Sequence, residues 1–301
     1  MNNFTDAVVE NRDWSGAELA GADFTRARLR GCRFDGANLA DAVFDEAQLE
    51  DCSFCDARLQ AASFSRTDFR GVRLDRAVLE RAFLLECRLE DVRWPGVNLS
   101  RATLRRLARL PALENAVAEM LHCLDCDLSA LRFRHVTAIL LTLQGCACRG
   151  FEAEDCDLTQ LIAMHTDLSG ARFTRCRMDR AGLMGSDLSG SILQNCSLTQ
   201  AHLADASLRA ARWQGVAAEQ AVLAGADLEG ARMPGINLHM ADLSHIQARN
   251  ADLRDADLRV ADLHAARLDG CALNGARMEG ARPTDPERLR AEQFSVQGVS
   301  N

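Results

Sequence analysis

Residues 17–59 read AELAGADFTRARLRGCRFDGANLADAVFDEAQLEDCSFCDARL, with a large apolar residue at every fifth position. These large residues are Leu19, Phe24, Leu29, Phe34, Leu39, Phe44, Leu49, Phe54 and Leu59. A small residue stands two places before each of them: Ala17, Ala22, Ala27, Cys32, Ala37, Ala42, Ala47, Cys52 and Ala57. The stretch is therefore a repeat with a period of five residues.

A five-residue period fits neither an α-helix nor a β-strand. Five residues of helix advance by ~500°, so apolar residues at this spacing would be spread around the whole helix and leave no face to bury. An extended chain that turns a corner every five residues instead directs each large residue at a common axis. Four such sides make one coil of about twenty residues, and stacked coils pair through their backbones at ~4.8 Å per layer. The period predicts an all-β solenoid.

The repeat resembles the pentapeptide-repeat family, whose pattern is approximately Ala-(Asp/Asn)-Leu-x-x. Close copies of the pattern begin at Ala22, Ala37, Ala226, Ala241, Ala251, Ala256 and Ala261. The resemblance extends over nearly the whole chain and implies a right-handed quadrilateral β-helix in which the small and the large residue both point inward. It also implies protein partners, because some members protect DNA gyrase from toxins and quinolones with acidic bodies that imitate DNA.

Composition narrows the possible classes of function. The chain has 301 residues, 35 basic against 43 acidic, and a formal net charge of −8, which argues against direct nucleic-acid binding. No apolar run is long enough to span a bilayer, and the first residues do not form a secretory signal. We therefore expect a cytoplasmic protein without a membrane or nucleic-acid partner.

The register of the repeat accounts for most of the 12 cysteines. Nine occupy the small inward position, namely Cys32, Cys52, Cys87, Cys126, Cys146, Cys156, Cys176, Cys196 and Cys271, and Cys148 occupies the large one. Buried cysteine behaves as a small apolar residue. Cys123 and Cys126 form a CxxC near Cys146 and Cys148, but without a nearby histidine cluster we favour a core role over a zinc site. Cys55, one place after a large position, is predicted to be exposed.

The repeat fails after Leu104. Residues 105–125 carry apolar residues at spacings of three and four, which predicts an amphipathic helix with Pro111 near its start or between two short helices. When the repeat returns at Leu128 it is displaced, since 24 residues from Leu104 is not a multiple of five. We therefore divide the chain into a first β-helix block over 1–104, a helical break over 105–125, a second block over 126–281 and a C-terminal cap and tail over 282–301.

Details of the blocks give further expectations. In the first block, Phe4, Phe24, Phe44 and Phe64 should form one aromatic column and Trp14, Phe34 and Phe54 another on the opposite side. Early in the second block, large and small inward residues exchange places, as at Val136 and Ala138. In the tail, Thr284 to Glu287 is a helix-start signal.

No arrangement of residues indicates catalysis or a cofactor site. The histidines are scattered, and phosphate loops, paired carboxylates and activated nucleophiles are absent from the sequence. We expect a protein that is not an enzyme and has no cofactor or metal. Charge follows the repeat: Asp127, Asp167, Asp187 and Asp227 fall on one side, and Arg132, Arg172, Arg212 and Arg232 on the next.

Three functions remain open. The first is a non-catalytic interaction scaffold or adaptor that docks its protein partner at the break and the ends, through Leu107, Leu110, Leu113, Val117, Leu121, Leu289 and Phe294. The second is a DNA-mimicking topoisomerase (gyrase)-binding protein that gives toxin or quinolone resistance, although the arginine stripe interrupts the acidic surface such a mimic needs. The third is an accessory protein of a bacterial secretion system. Relatives that protect gyrase dimerise end to end, so Leu289 and Phe294 are also candidates for a homodimer contact at the C-terminal end.

Overall fold

The computed structural model describes residues 2–297, and their side chains through residue 292. The chain divides into two compact units, residues 1–162 and 163–301. The strands of the first unit are Val8–Glu10, Arg28–Arg30, Gln48–Glu50, Ser63–Ser65, Asp68–Arg70, Phe83–Leu85, Arg88–Glu90, Thr103–Arg105, Leu113–Glu114, His122–Leu124, Arg132–Arg134, Thr142–Gln144 and Glu152–Glu154. All their pairings are parallel and join each coil to the next.

The predicted β-helix is confirmed. In the first unit Val9 pairs with Leu29 and Leu29 with Leu49, so one coil takes twenty residues. From Leu19 onward most small and large residues of the repeats are buried, as the spacing requires, whereas those of the first coil are half-buried or exposed. We name the four faces of this unit by their large residues: face A (Phe24, Phe44, Phe64, Leu84, Leu104), face B (Leu29, Leu49, Phe69, Leu89), face C (Phe34, Phe54, Leu74, Trp94) and face D (Leu39, Leu59, Leu79, Leu99).

Two aromatic columns fill the start of this core, as predicted. Phe24 and Phe44 stack with ring centroids 4.8 Å apart, and Phe34 and Phe54 stack at 4.6 Å. The columns also meet edge to face, with 5.7 Å between the centroids of Phe24 and Phe34. Ladder spacing thus places the rings at distances that favour aromatic attraction both along and across the core.

Most repeats turn their corner through a residue with positive φ. Asp51 has φ of 52° and Gly71, one coil later, has φ of 64°. At Gly71 a Cβ would stand 2.4 Å from Asp51 Oδ1, so glycine leaves room for the side chain stacked against it. Asn, Asp and Gly tolerate this left-handed conformation best, which explains their frequency at the corners.

The helix predicted over residues 105–125 is wrong. This segment is a β-coil of nineteen residues, in which Leu104 pairs with Cys123 and Asn98 pairs with Val117. One missing residue changes the inward spacing from alternating two and three to a run of threes: Leu107, Leu110, Leu113 and Ala116 are all buried. Three successive spacings of three resemble the period of a helix, which is why the sequence pattern predicts a helix here.

Two local expectations have different outcomes. Val136 and Ala138 are both buried, which confirms the exchange of large and small inward residues. Cys55 is buried, so the prediction of an exposed thiol is wrong. Its sulfur lies 3.3 Å from Ser53 Oγ, and its N–H donates to Asp35 Oδ1 at 3.0 Å. Burial raises the pKa of this thiol, which makes it a poor nucleophile.

The second unit repeats the same coil with shorter pairings. Its strands are Arg172–Thr174, Ile192–Gln194 and Arg212–Gln214, and single parallel bridges continue the ladders, for example from His202 to Val222. The α-helix Pro286–Gln297 ends the described chain, as the helix-start signal predicted. Asp285 caps it, since Asp285 Oδ1 accepts the N–H groups of Glu287 and Arg288. Within residues 2–297, no α-helix has both the length and the apolar character that crossing a bilayer requires.

Candidate interaction surfaces

The nineteen-residue coil is the main irregularity of the first unit. On face B, the four residues 107–110 stand where a full repeat would have five, and Ala108 bridges to Asp127 of the following coil. Trp94, on face C of the preceding coil, contacts the residues that follow this shortened repeat. Its indole Nε1–H donates to Ala112 O at 3.1 Å and to Pro111 O at 3.3 Å. A buried side chain therefore satisfies carbonyl groups at the point where the coil contracts.

The contraction leaves two open depressions in the surface, and Ala112 lines both. One of about 330 Å³ is bordered by Arg109, Leu110, Ala112, Asp127 and Ser129 to Arg132. The other, of about 290 Å³, is bordered by Val92 to Pro95, Pro111, Ala112 and Glu114. Neither depression brings together a nucleophile, a base and an oxyanion donor.

The structure separates the predicted docking residues into two groups. Leu107, Leu110, Leu113 and Leu121 are buried in the core, so these four are wrong as contact residues. Val117 is exposed. The neighbouring Met120, which is not among the predicted docking residues, is exposed as well. Leu289 is half-buried on the C-terminal helix, and the side chain of Phe294 lies outside the described residues. Only Val117 of the predicted set is freely available at the short coil.

The last coil forms a second candidate surface. Its inward residues Leu268, Leu273 and Met278 are only half-buried or exposed, whereas the equivalent Leu258 one coil earlier is fully buried. The core of the second unit is thus open at this end among the described residues. Open stacking ends of solenoids normally need a cap or a partner.

The C-terminal helix packs against the side of the final coils. Asp285 N–H donates to Nδ1 of the buried His264 at 3.1 Å, and Ala265 N–H donates to Thr284 Oγ1 at 3.1 Å. Glu292 Oε2 lies 3.2 Å from Nε2 of both His245 and His264. Although partial burial opposes it, hydrogen bonds from His264 and Arg288 lower the pKa of the Glu292 carboxyl. The sequence held a signal for this site, since two histidines nineteen apart must lie on neighbouring coils.

His245, His264 and Glu292 are the one group of possible metal ligands close enough together in the described part of the chain. Their hydrogen bonding weighs against a metal. A backbone N–H can only donate, so His264 Nδ1 must accept from Asp285, and a neutral His264 then carries its proton on Nε2. A metal facing Glu292 would need the lone pair of that same Nε2. We interpret the cluster as the docking site of the helix.

Charges on the first unit alternate along one corner. Asp6, Arg26, Glu46, Arg66, Glu86 and Arg106 follow one another at intervals of twenty residues. Arg26 Nε lies 2.7 Å from Asp6 Oδ1, Arg106 Nη1 lies 3.0 Å from Glu86 Oε1, and Arg66 pairs with Glu46. The Arg26 hydrogen bond lowers the pKa of the Asp6 carboxyl. This corner is neutralised within the chain, so it does not present the continuous negative charge of a nucleic-acid backbone.

Comparisons with known proteins agree with the fold. A model described as pentapeptide repeat region matches residues 7–84, and one described as pentapeptide repeats matches residues 181–212, 201–239 and 241–280. HetL, a pentapeptide repeat protein involved in heterocyst differentiation regulation from the cyanobacterium Nostoc sp. strain PCC 7120, is 22% identical with a TM-score of 0.28, over 93% of this chain and 86% of HetL. Full-length QnrB1, a plasmid-mediated fluoroquinolone resistance protein, is 14% identical with a TM-score of 0.26, over 64% of this chain and 99% of QnrB1.

A third solved structure covers a smaller part of the chain. It is a pentapeptide repeat protein from the Arabidopsis thaliana thylakoid lumen, 27% identical with a TM-score of 0.30, over 34% of this chain and 67% of that protein. No curated protein matches the sequence. The matched family regions leave residues 85–180 uncovered, and the nineteen-residue coil lies in that interval.

Proposed function

Because this chain belongs to the pentapeptide-repeat family, we propose that it is a non-catalytic protein-interaction scaffold whose nineteen-residue coil docks a protein partner. The observation that carries the proposal is the pair of depressions on either side of Ala112. Regular coils give a uniform surface, and a contraction of one residue creates a local shape that a partner can recognise. Val117 and Met120 add exposed apolar area on the neighbouring face D.

The docking proposal predicts that Ala112→Arg and Val117→Arg each reduce partner capture at least tenfold. Both side chains are exposed, so the larger residue blocks the surface and leaves the core intact. The measurement is quantitative mass spectrometry of proteins retained from the native cell extract by the full chain. Ala20→Arg, at an exposed alanine of the first coil, is the matched control and should retain every partner. Identical captured sets from all four proteins would reject the docking site.

A topoisomerase partner is the alternative, and the same capture experiment identifies it. The alternating corner from Asp6 to Arg106 does not favour a DNA mimic. If gyrase subunits are retained, titrating the chain into a supercoiling assay with and without a quinolone tests inhibition and protection. An unchanged supercoiling rate at every chain concentration would remove this alternative.

The open last coil supports a second part of the proposal, a homodimer formed end to end. Leu268, Leu273 and Met278 offer an apolar surface, and a second copy offers the same surface, as a two-fold symmetric contact requires. We expect a dimer in sedimentation velocity at micromolar concentration and a monomer for Met278→Arg. Val8→Arg, at an exposed valine in the first coil, should remain dimeric. A wild-type chain that sediments as a monomer at every concentration would contradict this contact.

A further inference from the structure

One side of the second unit concentrates its exposed apolar residues. Met164 and Met184 are 49% and 41% exposed, and Met240 and Val260, at the corner leading into the same side, are 49% and 45% exposed. Met164 and Met184 occupy equivalent positions in neighbouring coils, about 4.8 Å apart at the usual strand spacing. We call the surface made by Met164, Met184, Val222, Ala224, Met240 and Val260 the methionine face. These residues lie along successive coils, with His202 between Met184 and Val222.

Charge is distributed unevenly around this unit. Of the twelve arginines between residues 163 and 281, eleven lie at outward positions of the other three sides, and Arg180 lies at the same corner as Met240 and Val260, where its Nε donates to Gln200 Oε1. The carboxylates on the side with the methionines are Asp205, Asp242 and Asp262, of which Asp262 pairs with Arg282 and Arg288 within the chain. Depletion of charge around exposed methionine is typical of interface cores. The acidic residues indicate that a partner carries basic groups.

The chain itself shows what kind of element this side accepts. The bridges Gly182–His202, His202–Val222, Val222–Asp242 and Asp242–Asp262 place the methionine face and the docking site of the C-terminal helix in one ladder. The helix Pro286–Gln297 begins beside His264, and its Glu292 contacts both His264 and His245 of the preceding coil. The helix therefore lies on the side of the coils that carries these two histidines.

The spacing of residues on one face of an α-helix is close to the spacing between coils along the ladder. Helical residues three or four apart recur on one face at about 5.4 Å, close to the ~4.8 Å between coils. An α-helix laid along the ladder thus sets one apolar side chain against each coil, between methionine side chains that adapt their shape. Flexible methionine surfaces are used in this way to bind varied apolar helices.

We propose that the methionine face binds a basic amphipathic α-helix of a protein partner, lying along the coils on the same side that holds the chain's own C-terminal helix. The inference rests on the scaffold function and deepens it, because it names the partner element. It uses a different surface from the short coil. Loss of capture by Ala112→Arg bears on the first proposal alone, and the peptide experiment below bears on the second.

The test uses the full chain labelled with 13C at the methionine methyl groups, and an 18-residue leucine/lysine peptide that forms an amphipathic helix. Saturable shifts are expected at the methyls of Met164 and Met184, which single Met→Leu variants assign. Met164→Arg and Met184→Arg should weaken binding at least tenfold. Val8→Arg, at an exposed valine of the first coil, should leave it unchanged.

A peptide of the same composition, with its leucines scattered around the helix, separates helix recognition from attraction between a basic peptide and an acidic protein. It should bind at least tenfold more weakly. Equal affinity for the two peptides, or shifts that leave Met164 and Met184 unmoved, would overturn the proposal. A wild-type dimer that Met184→Arg converts to a monomer would also overturn it, since a second copy would then be the occupant.

Discussion

Replacing Trp94 by alanine is expected to lower the free energy of unfolding by about 3–5 kcal/mol, the range for removing a buried aromatic side chain. The indole fills the core beside the contracted coil, and its N–H bonds to the carbonyls of Pro111 and Ala112. Trp94→Ala therefore leaves a cavity and removes the donor from two carbonyls that line an open depression. Urea unfolding followed by circular dichroism measures the loss, and amide hydrogen exchange over residues 107–115 should accelerate.

Trp94→Phe separates the two contributions. It keeps most of the ring and removes the donor, so a loss of about 0.5–1.5 kcal/mol is expected, the usual net contribution of a hydrogen bond. Trp213→Phe is the matched control in a regular coil, where the indole N–H donates at 3.2 Å to a hydroxyl, Ser191 Oγ. If amide hydrogen exchange over residues 107–115 is as slow in Trp94→Phe as in the wild type, the hydrogen bonds from the indole N–H do not stabilise the short coil.

The fold could be predicted from the sequence because one period fixes both the corner and the core. Once every fifth residue must point inward, the pairing of Leu29 with Leu49 follows without knowledge of distant contacts. The nineteen-residue coil could not be predicted in the same way. Because one residue is missing, Leu107, Leu110 and Leu113 follow the spacing of a helix. Only the backbone pairing with the coils before and after this segment shows that it still forms a β-coil.

The candidate surfaces were predictable to a smaller degree. Val117 entered the predicted set through a helical spacing that the structure contradicts, and the depressions around Ala112 arise from how the neighbouring coils close over the missing residue. The docking site of the C-terminal helix could be predicted only by placing the histidines on the coils. His245 and His264 are distant in sequence and adjacent only when the period is applied as a coil of twenty residues.

Replacing Phe44 by alanine is expected to cost about 3–5 kcal/mol, near the upper end of large-to-small substitutions. Phe44 lies within a column, 4.8 Å from the Phe24 ring and 5.1 Å from the Phe64 ring, and it meets Phe54 edge to face at 5.8 Å. Backbone hydrogen bonds fix the coil spacing on every side, so the coils cannot move together to close the space. Urea unfolding of the full chain measures the loss.

Phe4→Ala tests this cavity argument at the end of the same column. Phe4 is half-buried and stacks on one ring, Phe24, at 4.7 Å. Water can fill the space that its removal leaves, so the expected loss is about 1–2 kcal/mol, close to the value for partial removal of an apolar side chain from water. Equal losses for Phe4→Ala and Phe44→Ala would mean that aromatic contact alone sets the energy. A larger loss at Phe44 would mean that the rigid spacing of the coils, which gives the sequence its period, also prevents the core from adapting to a smaller residue.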